Sequence, residues 1–209
     1  MQRRTLLVVV AIVLVLGIGF GYRLLGMGGH APVSSAVTST GTASIGGPFE
    51  LIDQAGQTRT EQDFAGKYML VYFGYTFCPD VCPTELQAMS AGLDLLESDV
   101  AQQVQPIFIT VDPERDDVEA MASYVPHFHD RLIGLTGTVA QTTAAAKAYR
   151  VYYAKAFDEG QAEDSDAYLM DHSSFIYLMG PDGQYVRHFN YGETPENIAA
   201  GITKVVENS

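Results

Sequence analysis

Tryptophan is absent from these 209 residues, cysteine occurs twice, and there are only 12 basic side chains against 25 acidic ones. Two cysteines are too few to staple a disulfide-built mini-fold. A formal charge of -13 excludes nucleic acid, whose phosphates require clustered Lys and Arg. An anionic membrane surface would repel the body of the chain for the same reason. No internal repeat is visible, so a solenoid is excluded as well. What is present in quantity is apolar: 47% of residues are hydrophobic, too many for a disordered chain. The length accommodates one good-sized domain with appendages.

Charge is unevenly placed. No acid precedes Glu50, whereas Arg3, Arg4 and Arg23 do. Residues beyond 30 carry nine basic against 25 acidic side chains, a net of about -16. An acidic body therefore follows a basic, apolar leader. Thr5 to Tyr22 is an uncharged run of about the minimum length for a membrane-spanning helix. Arg3 and Arg4 in front of it keep the N-terminus cytoplasmic by the positive-inside rule. A cleaved signal peptide has a shorter apolar region, roughly 7 to 15 residues, closed by an Ala-x-Ala-like site. Here Gly-Met-Gly-Gly-His follows instead. Residues 1–25 are thus expected to be an uncleaved membrane anchor. Residues 26–48, small and polar without periodicity, form a flexible tether reaching on the order of 25 Å. Residues 49–209 are the functional body.

Within the body, Phe49 to Asp53 alternates as a short strand, and Tyr68 to Gly74 is a continuous apolar run typical of a strand buried on both faces. Thr84 to Leu96 spaces Leu86, Met89, Leu93 and Leu96 as a helix does. Val104 to Val111 predicts a second buried strand, Asp117 to Phe128 a helix, Leu132 to Leu135 a short strand and Val139 to Tyr152 an Ala-rich helix. Ser173 to Met179 and Gln184 to Phe189 flank Gly180-Pro-Asp-Gly183, a hairpin signal with Pro at the second turn position. Thr194-Pro195 opens a final helix to Val206. Strands alternating with helices imply a central sheet with parallel pairs, to which the late hairpin adds an antiparallel edge. The acidic stretch from 158 to 166 reads as a solvated loop.

Both cysteines fall in Cys78-Pro-Asp-Val-Cys82-Pro, where the first buried strand hands over to the first helix. In an α/β sheet that is the edge where ligands bind. With Asp80 as N-cap, Pro83 occupies the third helical position, where its missing N–H has no partner to lose. Cys82 then lies in the first turn, and the helix terminus favours thiolate. Such a pair can bind a soft metal, exchange disulfides or do nothing chemical. One-turn spacing permits a Cys78–Cys82 bridge, although dedicated dithiol exchangers usually separate their cysteines by two residues, not three. A third ligand would favour metal, and His172, expected to begin the hairpin strand in Met170-Asp171-His172-Ser173-Ser174, is the candidate. Two thiolates and an imidazole suit Cu(I) and can accept Cu(II). Without a second cysteine pair, structural zinc is disfavoured.

Phe-Gly-Tyr-Thr-Phe-Cys78-Pro-Asp-Val-Cys82-Pro-Thr-Glu-Leu, Ile-Thr-Val-Asp-Pro-Glu-Arg-Asp at 109–116, Asp171-His172-Ser-Ser and Gly180-Pro-Asp-Gly183 together resemble the Sco/SenC family. These are membrane-tethered copper chaperones of cytochrome c oxidase assembly, and the resemblance spans about residues 46 to 207. It implies an α/β, thioredoxin-like fold with a central mixed sheet. It also implies Cys78, Cys82 and His172 as copper ligands, and delivery of copper to the binuclear copper centre of cytochrome c oxidase subunit II. The expected setting is a bacterial inner membrane with the body in the periplasm. There an unmetallated pair tends to oxidise to a Cys78–Cys82 disulfide. An upstream copper donor and a thioredoxin-like reductase are therefore expected partners.

On this basis the protein is expected to be a carrier, with a thiol–disulfide reductase activity left open. The principal rival is a thiol–disulfide oxidoreductase acting on the cysteines of that copper site. A peroxidase of peroxiredoxin type lacks its Thr-x-x-Cys pattern, because Tyr75 stands three residues before Cys78. A copper sensor with a redox-responsive dithiol is a further alternative. Asp112 is expected to cap the turn at Pro113, with an outer role behind the ligands as its alternative. His127 and His129 are expected at a helix end, His30 and His188 carry no assigned role, and Met170 is the one methionine near enough in sequence to His172 to matter. Met69, Met89, Met121 and Met179 are expected in the core.

Overall fold

Tyr68–Gly74 (β3) is buried at every position, as a strand covered by helices on both faces must be. In a computed structural model describing residues 44–157 and 167–209, it is an inner strand of a seven-stranded mixed sheet. The elements run β1 (Glu50–Asp53), β2 (Thr58–Thr60), β3, α1 (Val81–Asp94), α2 (Ser98–Gln103), β4 (Val104–Thr110), α3 (Val118–Tyr124) and β5 (Ile133–Thr136). They continue with α4 (Val139–Ala148), β6 (Tyr153–Ala156), β7 (Leu169–His172), β8 (Ile176–Met179), β9 (Tyr185–Phe189) and α5 (Pro195–Glu207). Strand order in the main sheet is β2-β1-β5-β4-β3-β8-β9, and β6 and β7 form a separate ribbon. β3 pairs in parallel with β4, from Tyr68 opposite Val104 to Gly74 opposite Thr110, and antiparallel with β8. The expected mixed α/β sheet is therefore present.

Local chemistry accounts for the element ends. Asp80 stands at the N-cap position of α1, so Cys82 and Pro83 are its second and third residues, as the spacing predicted. Thr194 caps α5 by accepting from the Asn197 N–H at 3.3 Å, with Pro195 in the first turn. The β8–β9 turn closes through Gly180 N–H to Gln184 O at 2.7 Å, and Gly183 takes the positive φ of 76° that the turn requires. Gly46 N–H donates to Ala148 O at 3.0 Å, so bonded structure begins ahead of Phe49.

Three expectations need correction. The helix expected over Asp117 to Phe128 ends at Tyr124 and gives way to a 3-10 turn over Val125–His127, because Pro126 has no N–H to continue the ladder. The helix expected to reach Tyr152 stops at Ala148, and Arg150 turns the chain with a φ of 56°. His172 does not open the hairpin. It ends β7, paired with Tyr153 of β6, and three residues separate it from β8. The expected anchor at 1–25, most of the tether and the acidic stretch 158–166 lie outside the described residues. Among the described residues no helix is long and apolar enough to cross a membrane.

Helix α1, which positions Cys82, is seated on α5 at Gly92. A Cβ there would meet Ile198 Cγ2 at 3.0 Å and Pro195 O at 3.1 Å. Replacing Gly92 by Val should cost about 1–3 kcal/mol, read as a lower chemical-denaturation midpoint with an unchanged slope. An unchanged midpoint would show that the two helices can part without penalty.

Candidate metal centre

The loop from Tyr75 to Asp80 leaves the carboxyl end of β3 and enters α1. It is fixed from beneath by Asp116, a fully buried carboxylate. Asp116 Oδ2 accepts from the Thr76 N–H at 2.9 Å and the Thr110 hydroxyl at 2.6 Å, and Oδ1 accepts from the Thr76 hydroxyl at 2.5 Å. Burial pushes this carboxyl up, and the threonine hydrogen bonds oppose that shift. Val111 N–H donates to Gly74 O at 2.8 Å, carrying the β3–β4 pairing to the base of the loop. Gly74 itself leaves space for a sulfur: a Cβ there would lie 2.9 Å from Cys82 Sγ and 3.0 Å from Phe108.

Cys82 is fully buried in the first turn of α1, while Cys78 is partly exposed in the loop. Asp80 makes no side-chain cap bond. The N–H of Cys82 donates to Cys78 Sγ at 3.2 Å instead, so the sulfur takes the place of a capping oxygen. The Cys82 thiol, then the backbone at Cys82 and Asp80, hydrogen-bond to the Cys78 sulfur and hold its pKa down at about 3 against the opposing effect of burial. Cys82 moves the other way, because it shares its proton with Cys78 and is buried. Both cysteines are free thiols.

His172 arrives from the ribbon. Its Nδ1 lies 3.1 Å from the Ser173 carbonyl oxygen, which can only accept. The proton therefore sits on Nδ1, and Nε2 keeps its lone pair. That Nε2 is 3.2 Å from Cys82 Sγ. Tyr75 and Tyr72 pack on the ring edge-on, at centroid distances of 5.9 and 6.2 Å. The ligand atoms of Cys78, Cys82 and His172 all lie within 4.8 Å of one another, and among the described residues this is the group that could hold a metal ion. Two sulfurs and one imidazole nitrogen form a soft set with no carboxylate, which suits a soft ion such as Cu(I).

The remaining candidates disperse. His129 Nδ1 accepts from the Arg131 N–H at 3.0 Å, and its Nε2 is 3.6 Å from Asp94. His188 Nδ1 is 2.6 Å from the Tyr185 hydroxyl. Met170 is buried on β7, and Met69, Met89, Met121 and Met179 are in the core as expected. The Asp112 side chain does not cap its turn. It takes Arg115 Nε at 2.5 Å and the Tyr168 hydroxyl at 2.8 Å. Sequence reasoning missed Asp116, Thr76, Gly74, Arg115 and Tyr168. Asp116 and Arg115 stand in the quoted Ile-Thr-Val-Asp-Pro-Glu-Arg-Asp segment, but nothing in that pattern says which acid turns inward. Glu85, one turn beyond Cys82, was also missed. It is buried and accepts from the Gly192 N–H at 2.9 Å.

Comparison with known proteins places this chain in a defined class. The chain matches SCO1/SenC over residues 37–207 and belongs to that family. It is 44% identical over 164 residues to human "Protein SCO2 homolog, mitochondrial", covering 78% of this chain and 60% of that protein. It is 43% identical over 168 residues to Arabidopsis thaliana "Protein SCO1 homolog 1, mitochondrial", covering 80% and 49%. The chain thus spans about half to three-fifths of the length of these curated relatives. Among solved structures, Bradyrhizobium japonicum ScoI with copper bound superposes with a TM-score of 0.68 at 44% identity, covering 77% of this chain and 99% of that one. Yeast Sco1 with copper bound gives 0.68 at 40% identity, covering 78% and 87%.

The two sulfurs should differ sharply towards alkylation. In the reduced, metal-free protein iodoacetamide should modify Cys78 and spare Cys82, as read by peptide mass spectrometry. Because the Cys78 pKa is lowered, its thiolate persists as pH falls through the ordinary thiol range. The rate should therefore stay nearly flat from about pH 8 to about pH 5, where an ordinary thiol slows by orders of magnitude. Modification of Cys82 first, or a steep fall over that interval, would contradict the arrangement described.

Proposed function

We propose that this chain is a copper metallochaperone that binds copper through Cys78, Cys82 and His172 and delivers it to the binuclear copper centre of cytochrome c oxidase subunit II. The observation that carries the proposal is the convergence of those three donor atoms within 4.8 Å. Family membership and two relatives solved with copper bound support it. Cu(I) between two thiolates leaves a local charge near -1, with the imidazole as a neutral third donor. Cys78, partly exposed, gives an incoming thiol or imidazole a route to replace the ligands one at a time. An upstream copper donor fills the site, and a thioredoxin-like reductase keeps the pair reduced where the surroundings are oxidising. The chain is taken to be anchored by Thr5 to Tyr22 in a bacterial inner membrane, with the body in the periplasm on its tether. The apolar run and the Arg3-Arg4 pair support that placement.

One observation favours a second reading. A stabilised Cys78 thiolate beside a protonated Cys82 is the arrangement of a disulfide reductase. Cys78 would attack a target disulfide, and Cys82 would then close the Cys78–Cys82 bond and release the target's two thiols. His172 separates the two functions, since thiol exchange does not need the imidazole and copper retention does.

The test is copper analysis of the reduced full-length protein. The wild type should hold one copper per chain, and His172→Ala should lose at least about 10-fold in affinity while retaining dithiol reactivity. If His172→Ala keeps full Cu(II) affinity and an unchanged spectrum, the imidazole is not a ligand and the reductase reading stands.

A further inference from the structure

We propose that Arg115 is a positioning residue: clamped between Asp112 and Tyr168, it holds the His172 ribbon over the cysteine loop and thereby sets the rate at which the site releases its metal. The proposal rests on the copper reading above and names the device that governs His172.

The ribbon needs such a device. β6 and β7 pair with each other, from Tyr153 opposite His172 to Ala156 opposite Leu169, and with no strand of the seven-stranded sheet. The cysteines, by contrast, sit on a loop and helix anchored to that sheet. What brings the imidazole to the sulfurs is therefore side-chain chemistry: Tyr75 and Tyr72 pack edge-on against His172 itself, and the polar ties gather at Tyr168, the residue just before β7. Tyr168 is buried, at 6% exposure, and bound in three ways. Its hydroxyl donates to Asp112 Oδ1 at 2.8 Å, its carbonyl accepts from Arg115 Nη1 at 2.8 Å, and its ring lies 3.7 Å from the guanidinium carbon. The guanidinium also donates through Nε to Asp112 Oδ2 at 2.5 Å.

The same guanidinium reaches the other half of the site. Its carbon is 4.9 Å from the Phe77 ring and 5.9 Å from the Tyr75 ring, both in the loop that presents Cys78. One side chain thus touches the ribbon, the cysteine loop and the turn after β4. A parallel tie runs beside it: Lys155 of β6 lies 4.3 Å from the Tyr168 ring and 2.6 Å from Glu114. Four residues of extended chain, about 13 Å at 3.3 Å per residue, transmit the position of Tyr168 to the imidazole. Only Arg can do this. A flat guanidinium stacks on an aromatic ring while its fork donates to two acceptors, and an ammonium cannot do both.

Two measurements on the full-length protein test the proposal. In the copper-free chain, Arg115→Lys should raise amide hydrogen exchange in Leu169–His172 several-fold and leave Tyr68–Gly74 and Val104–Thr110 unchanged. In the Cu(I)-loaded chain, Arg115→Lys should speed transfer to a colorimetric Cu(I) chelator by about 10-fold. In a His172→Ala background it should give no further acceleration, because the effect passes through the imidazole. Tyr168→Phe keeps the Asp112–Arg115 pair and the ring, removes one tie, and should shift both readouts in the same direction by less. It also carries the test if Arg115→Lys does not fold. Unchanged exchange in β7, or equal acceleration with and without His172, would overturn the proposal. A wild type that takes up no copper would instead overturn the copper reading, and the exchange measurement would still decide whether Arg115 holds the ribbon.

Discussion

The contact on which the rest depends is the 3.2 Å approach of His172 Nε2 to Cys82 Sγ. The two atoms come from residues 90 positions apart in the chain, one at the head of a helix fixed to the central sheet and the other at the end of a detached ribbon. Everything around them serves to keep that approach. Asp116 ties down the loop through Thr76 and Thr110, and Gly74 leaves room for the sulfur. Ser173 accepts the Nδ1 proton so that the lone pair faces inward. Remove the approach, and the remaining pair of thiols has redox chemistry but no third donor.

The electrostatics beneath the centre are unusual for a site meant to hold a cation. Two buried acids, Asp112 and Asp116, lie behind it, yet neither contributes a ligand. Each is consumed by local partners: Asp116 by two threonines, Asp112 by Arg115 and Tyr168. Buried carboxylates without such partners would be costly. With them, the acids act as fixed anchor points, and the donor atoms of the proposed metal site are sulfur and imidazole alone. A hard, oxygen-rich set would favour other metals.

Most of the sheet was legible in the sequence because its signals are local. The apolar run of β3, the Gly-Pro-Asp-Gly turn between β8 and β9, and the cap at Asp80 are each decided within a few residues, and the structure reproduces them. The ribbon was not legible. Tyr153–Ala156 and Leu169–His172 are four residues each, without a clean alternation, and they pair across an intervening acidic stretch. His172 was identified from its chemistry and its neighbours, but the element carrying it was misassigned to the hairpin. Asp116 and Arg115 illustrate the other limit. In Asp-Pro-Glu-Arg-Asp-Asp every residue but Pro113 is charged, and only the packing of β4 against the cysteine loop decides which of them is buried.

The unequal exposure of the two cysteines gives the centre a front and a back. Cys82 lies at the floor, shut off from solvent, and Cys78 stands at the doorway. A visitor of any kind, whether a thiol, a chelator or a disulfide, meets the partly exposed Cys78 and His172 first and reaches Cys82 last. Any exchange at the centre therefore begins at those two side chains and ends at Cys82. Partner choice on such a surface is as much a matter of approach angle as of affinity.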